Sequence, residues 1–180
     1  ATTFADDAPQ TPAPEPEPEH AWLQQLVGEW DIENEIVPAP GQPAMKCQGH
    51  ESVRAVGGFW IVSHLSSSAG GESMQAELTL GYDPATKRYV GTWIDSSNSF
   101  LWKYDGALDA ERKVLTLEAE GPNPMDHFKT ARFRDITEFK SPDERVLRSQ
   151  IQQANGEWVT FVTGVARRTQ PPENPLFKPL

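Results

Sequence analysis

Between Leu80 and Ser96 the sequence reads LGYDPATKRYVGTWIDS, two runs of alternating side chains joined by a short turn. Ala76, Leu78, Leu80 and Tyr82 fall on one side of the first run. Tyr89, Gly91 and Trp93 fall on one side of the return, with Val90, Thr92 and Ile94 on the other. A period of two places residues on the faces of a strand and cannot be laid on a helix. In Asp83-Pro84-Ala85-Thr86, proline presets φ for the first central position of a type I turn, and the aspartate oxygen can accept a following backbone N–H. This stretch is an antiparallel hairpin.

The same grammar runs along the chain. His20 to Val27 places Trp22 or Leu23 with Leu26 and Val27 at helical spacing, which predicts one or two helical turns ending at Gly28. Glu29 to Ile36 then alternates, with Trp30, Ile32, Asn34 and Ile36 opposite four acids. Val37 to Ala44 holds three prolines and a glycine and reads as an irregular connection over one mouth of a barrel. Met45 to Val56 is a strand of mixed polarity, and Gly57-Gly58 turns it into Phe59 to Ser66. On that third strand Trp60, Val62 and His64 share one face and Phe59, Ile61 and Leu65 the other. Ser66 to Glu72 reads as a flexible connection into the hairpin. Beyond the hairpin, Phe100, Trp102 and Tyr104 alternate with Leu101, Lys103 and Asp105. Asp109 to Arg112 turns the chain into Lys113 to Glu120, and Gly121-Pro122-Asn123-Pro124 breaks the run. Strands over Lys129 to Phe139, Arg145 to Gln153 and Glu157 to Arg168 follow, the last two joined through Asn155-Gly156, a strong hairpin signal.

About ten strands behind one short helix predict an all-β fold: an antiparallel up-and-down β-barrel, since closure hides the edges of such a meander. The 180 residues suit one domain with tails. Residues 1–19 carry five prolines, five acids and no base, which predicts a disordered leader. The barrel is expected over 20–168, and 169–180 is a tail in which Leu176, Phe177 and Leu180 are able to dock. Half of the net charge of −10 belongs to the leader. No basic stripe exists to neutralise phosphates, so nucleic acid is not expected as a partner. Cys47 is the only cysteine, which excludes an internal disulfide, and it reads as a small apolar residue on a strand rather than a nucleophile. No apolar run approaches the length of a membrane helix, so no transmembrane segment is expected.

Leu26-Val27-Gly28-Glu29-Trp30 resembles the G-x-W start of the lipocalin-like, or calycin, barrels, in which a short helix leads into a strand whose tryptophan plugs one end. The same five residues, Arg54 with Gly57-Gly58, the hairpin from Gly81 to Ser96, and Phe133-Arg134-Asp135 together resemble a bacterial family, domain of unknown function 1579, over about residues 20 to 168. The resemblance implies a lipocalin-like barrel, often exported, with no established activity. A chain that starts at Ala1 and leads into an acidic, proline-rich stretch matches an exported protein after signal removal, and equally a trimmed chain. Export to the periplasm or cell exterior is the expectation.

Several groups of residues are candidates for chemistry. If Trp30 and Asn34 point inward, the faces bearing Trp60-Val62-His64, Tyr89-Trp93-Asp95 and Phe100-Trp102-Tyr104 are wall material for a small-molecule cavity; the alternative is that these rings fill the barrel. The expected partner is a small hydrophobic or amphipathic molecule. His64 with Asp95 makes a base and its orienting carboxylate if both face inward, which keeps a small hydrolase or isomerase as an alternative. A protein–protein module, such as a homodimer, is the third class. No cofactor or metal is expected. Small barrels similar to this one, nitrobindin among them, hold haem through one histidine, and His64, His50 and His127 are the positions to consider, but none sits in a ligand-spaced cluster. Ser66-Ser67-Ser68 lacks a nucleophile elbow. Arg54, Arg132 and Arg134 lie on strands, where they can receive a carboxylate ligand, pair with Glu51, Glu77 or Asp135, or stack on Trp30.

Overall fold

The computed structural model of the chain describes residues 14–38 and 41–170. Most of the expected leader and the tail with Leu176, Phe177 and Leu180 lie outside the described residues. Helix α1 spans Pro18–Gln24. It is followed by β1 (Gly28–Ile36), β2 (Met45–Val56), β3 (Trp60–Ala69), β4 (Glu72–Asp83) and β5 (Arg88–Asp95). The second half of the chain contributes β6 (Trp102–Leu108), β7 (Val114–Asn123), β8 (Asp126–Ser141), β9 (Glu144–Gln152) and β10 (Trp158–Gln170). Each strand pairs antiparallel with the next, and β10 pairs with β1 to close the barrel, with Trp30 opposite Arg168 and Asn34 opposite Gly164. No strand is left with a free edge, so the meander gains closure without covering elements. No helix among the described residues is long and apolar enough to cross a membrane.

The up-and-down path sends alternate connections to opposite ends, and the two ends differ. At one end α1 forms a plug. Pro18 stands at its start, where a missing N–H costs nothing, and His20 Nδ1 accepts the Glu17 N–H at 2.9 Å. Trp22, Leu23 and Leu26 face the core together with Leu80, Tyr89 and Leu115. The Trp22 indole donates to the Arg112 carbonyl at 2.9 Å and the Tyr89 hydroxyl to that of Glu19 at 3.0 Å. Gly28, at φ 132°, turns the chain from the helix into β1.

Trp30 lies at the centre of this end with no exposed surface. Its indole N–H donates to the Leu26 carbonyl at 2.8 Å. The Arg168 and Arg145 guanidinium carbons lie 4.1 and 4.7 Å from its ring centroid. Arg168 also donates to Val27 O at 2.6 Å, Gln25 O at 2.8 Å and Pro142 O at 3.1 Å, joining the helix exit to the β8–β9 turn. Arg145 pairs with Glu51, which accepts a further bond from Ser63 Oγ at 2.5 Å. Each buried charge here therefore meets an opposite charge or carbonyl oxygens, as burial requires.

Four local expectations change. The helix starts at Pro18 rather than His20. Strand β3 continues to Ala69, so Ser66-Ser67-Ser68 belong to a paired strand and the turn is confined to Gly70-Gly71. Strand β7 continues through Gly121-Pro122, where a register shift accommodates the missing proline N–H. The faces of β3 are the reverse of the cavity reading: Ile61, Ser63 and Leu65 are buried inside, while Trp60, Val62 and His64 point outward. Trp60 is able to lie outside because Gly81, its cross-strand partner, has no side chain. A Cβ there would come within 2.4 Å of the indole.

Candidate ligand site at the open end

Among the described residues, the opposite end carries no helix. It is bordered by residues 37–38 and 41–44 and by the connections 70–71, 96–101, 124–125 and 153–157. Strand parity brings Trp93 and Asp95 inward from β5, Trp102 and Tyr104 from β6, Phe133 and Asp135 from β8, and Ser149 and Ile151 from β9. All of these residues are half-buried, in contrast with the buried Trp22, Leu23, Leu26 and Trp30 at the other end.

Three rings form a connected wall. Trp102 and Phe133 meet edge to face at 4.9 Å, and Phe100 meets Trp102 at 5.0 Å. Phe161, from the bulged segment of β10, meets Phe133 at 6.3 Å. Gly121 provides the seat for Trp102: a Cβ there would lie 2.2 Å from the indole.

Two carboxyls face the interior of this half, and their surroundings differ. Asp95 accepts from the Trp93 indole at 3.0 Å, from Ser97 N at 2.9 Å and from Asn98 Nδ2 at 3.1 Å, and also from the Ser97 hydroxyl. Burial pushes its carboxyl up, but these donors outweigh burial and hold it below its ordinary value. Asp95 thus orders the loop 96–99. Asp135 accepts from the Tyr104 hydroxyl on one oxygen and from Ser149 Oγ at 2.5 Å on the other. Burial raises its carboxyl above the ordinary value despite those two bonds. Burial and then the Asp135 charge push the Tyr104 phenol well above its own.

Asn34 also faces inward, packed on Gly164, and its Oδ1 has no partner. Trp30 and Tyr89 face inward as well but belong to the sealed end. Trp60, Val62 and His64 are removed from the cavity wall by the parity of β3. His64 and Asp95 consequently stand on opposite faces of the sheet, and the His64 ring is half-exposed with Nδ1 3.6 Å from Glu77. A base–carboxylate pair at these positions is excluded.

Neither His50 nor His20 supplies a ring nitrogen to the open half. His50 lies on the outer face between Glu29 and Asp31, at 2.7 and 3.1 Å. His20 is engaged in the plug, and the side chain of His127 lies outside the described residues. Haem held through His64, His50 or His20 does not fit where these three side chains lie. No group of three or more potential metal ligands occurs among the described residues.

The arginine expectations also move. Arg54 is exposed. Arg132 pairs with Glu118, and Arg134 stacks on Trp158 at 4.2 Å from outside. Arg145 and Arg168 occupy the place over Trp30. Of two clefts, one of about 440 Å³ lies beside α1 and Gly57-Gly58, and one of about 690 Å³ is lined by Asn34, Cys47, Leu147 and Gly164 with neighbouring residues of β1, β2 and β8–β10; Trp102, Phe133 and Asp135 line neither.

Asp135, Phe133 and Ser149 belong to this half in addition to the residues expected from the sequence. Parity is the signal for them: Phe133, Asp135, Thr137 and Phe139 form the inward series, and Arg132, Arg134, Ile136, Glu138 and Lys140 the outward one. An acid in an inward, otherwise weakly polar series is a buried carboxyl in need of partners.

A family model described as protein of unknown function, DUF1579, matches residues 15–168. The chain belongs to this family. Its lipocalin-like barrel agrees with the earlier resemblance. No functionally curated protein matches the chain. Among solved structures, Rv2717c from M. tuberculosis is similar at 14% identity, with 87% of this chain and 100% of that one covered and a TM-score of 0.61. The S-type phycobiliprotein lyase CPES from Guillardia theta is similar at 14% identity, over 87% of this chain and 99% of that one, with a TM-score of 0.55. A designed fluorescence-activating β-barrel matches at 13% identity over 81% and 95%, with a TM-score of 0.46. At these identities the likeness concerns the fold.

Proposed function

We propose that this DUF1579 protein binds a small, mostly apolar molecule non-covalently in the open half of its barrel. One observation carries the reading: Trp93, Trp102 and Phe133 face inward yet keep solvent contact, whereas the large rings Trp22, Trp30 and Tyr89 at the α1 end are buried. Large rings exposed to water inside a concave wall, beside a few fixed polar groups, are the usual make-up of a ligand site. A barrel of the same fold is named as a phycobiliprotein lyase, which accords with ligand handling by this architecture.

Ala131 tests the reading, because it is the cross-strand partner of Gly121 on the wall that carries Trp102. A phenylalanine there fills space at the rim without touching the plug. A thermal-shift and fluorescence screen of apolar aromatic compounds should identify binders of the wild-type protein. Ala131→Phe should weaken them by about tenfold or more with the melting temperature nearly unchanged. Binding unaffected by Ala131→Phe would place the ligand elsewhere.

A further inference from the structure

Asp135 is a partly buried, inward-facing acid whose observed partners are both neutral. The groups facing it are Tyr104 from β6, Leu117 from β7 and Ser149 from β9, and its two hydrogen bonds come from hydroxyls. The inward arginines are committed elsewhere, Arg145 to Glu51 and Trp30, Arg168 to Trp30, Asp143 and main-chain carbonyls. Arg145 and Ser149 are four residues apart on β9, a separation of about 13 Å along the strand.

An ionised carboxylate taken out of water without a counter-charge is unfavourable. Two hydroxyls fix its orientation, and each oxygen retains capacity for another donor. Phe133 lies two residues towards the opening on the same face of β8, in edge contact with Trp102. Aromatic faces attract cations, most strongly where water is displaced. We infer that the ligand of the open half is an organic cation, a protonated amine on an apolar ring-sized body, with its ammonium at Asp135 and its body against Trp102 and Phe133. This rests on the reading of the open half as a ligand site, and it adds the charge of the ligand and the residue that selects it.

The competing account makes Asp135 a joint between β6, β8 and β9, for which a neutral amide serves as well. Three probes with one hydrophobic body separate the two: 1-naphthylmethylamine, 1-naphthylmethanol and 1-naphthoate, titrated into the full chain by calorimetry at neutral pH. The amine should bind about tenfold tighter than the alcohol, with the carboxylate weakest. In Asp135→Asn the amine should fall to within about twofold of the alcohol, whose own affinity stays. Equal affinity of amine and alcohol for the wild type would overturn the cation inference and leave the ligand site standing. An amine preference that survives in Asp135→Asn would also overturn it, assigning the preference to the overall charge of −10 or to Asp95. Failure of all three probes to bind would instead overturn the ligand site itself. Should the variant not fold, the wild type alone decides: acidification that protonates Asp135 must abolish the amine preference while alcohol binding persists, because Tyr104 titrates far above that range. A preference unchanged by acid would count against Asp135.

Discussion

Asp135 accepts hydrogen bonds from two hydroxyls and meets no cation among its observed partners, so ionisation of its carboxyl works against the folded state. Its folded pKa lies above the ordinary 3.8, so the unfolded chain releases this proton first as pH rises. Stability contributed by the protonated acid is therefore present below that value and is lost as pH climbs to the folded pKa. Asparagine removes this step and retains bonds to both hydroxyls, which are able to rotate. Asp135→Asn should be at least as stable as the wild type at neutral pH, and the difference between the two should close on acidification. Asp135→Ala leaves the Tyr104 and Ser149 hydroxyls unpartnered and should cost about 2 kcal/mol. Denaturant titrations from about pH 4 to pH 8 measure both effects. An asparagine variant much weaker than wild type at neutral pH would mean that the ionised group supports the fold.

The strand pair β1–β2 shows the same linkage with the opposite sign, on the outside. His50 sits between Asp31 and Glu29 across the ladder, and the bond to Asp31, followed by that to Glu29, raises its pKa above 6.5. A raised histidine stabilises fully below its unfolded value and loses that contribution as pH passes the folded one. His50→Gln should lower the melting temperature relative to wild type near pH 5.5 and match it near pH 8.5, and salt should shrink the gap because the site is half-exposed. A gap of equal size at both pH values would assign the effect to packing. The strands also show what alternation is able to reveal. In the β4–β5 hairpin, turn chemistry and period agree, and Tyr89, Trp93 and Asp95 share one face as the sequence predicts, a face that the barrel turns inward. In β3 both faces carry large apolar residues, so period alone does not choose between them. The choice rests on two cross-strand partners remote in sequence, Gly81 making room for Trp60 outside and Glu51 bonding Ser63 inside. Asp135 was hidden for a similar reason, because its partners Tyr104 and Ser149 come from β6 and β9.

Across the whole barrel, cohesion and solvent access are divided between the two ends. The sealed end holds most of the buried core, the α1 plug and the two arginines over Trp30, whereas the open end has half-buried rings, the loop-bound Asp95 and the strand-bound Asp135. Arg168 joins three remote parts of the chain, since it stacks on Trp30 from β1 and donates to Gln25 and Val27 after the helix and to Pro142 between β8 and β9. Its side chain is 8% exposed, so truncation leaves several carbonyls without their donor and removes the cover from the indole. Arg168→Ala should cost about 2–4 kcal/mol. Lysine supplies charge without the planar fork and should recover only part of that loss. Because these contacts lie at the end away from Trp102 and Phe133, the folded fraction of Arg168→Ala should bind open-half ligands with wild-type affinity. Ala131→Phe should do the reverse, losing affinity while keeping stability. Denaturant midpoints and probe affinities measured on both variants test the division directly. Loss of both properties in either variant would show that the two ends are coupled through the barrel wall.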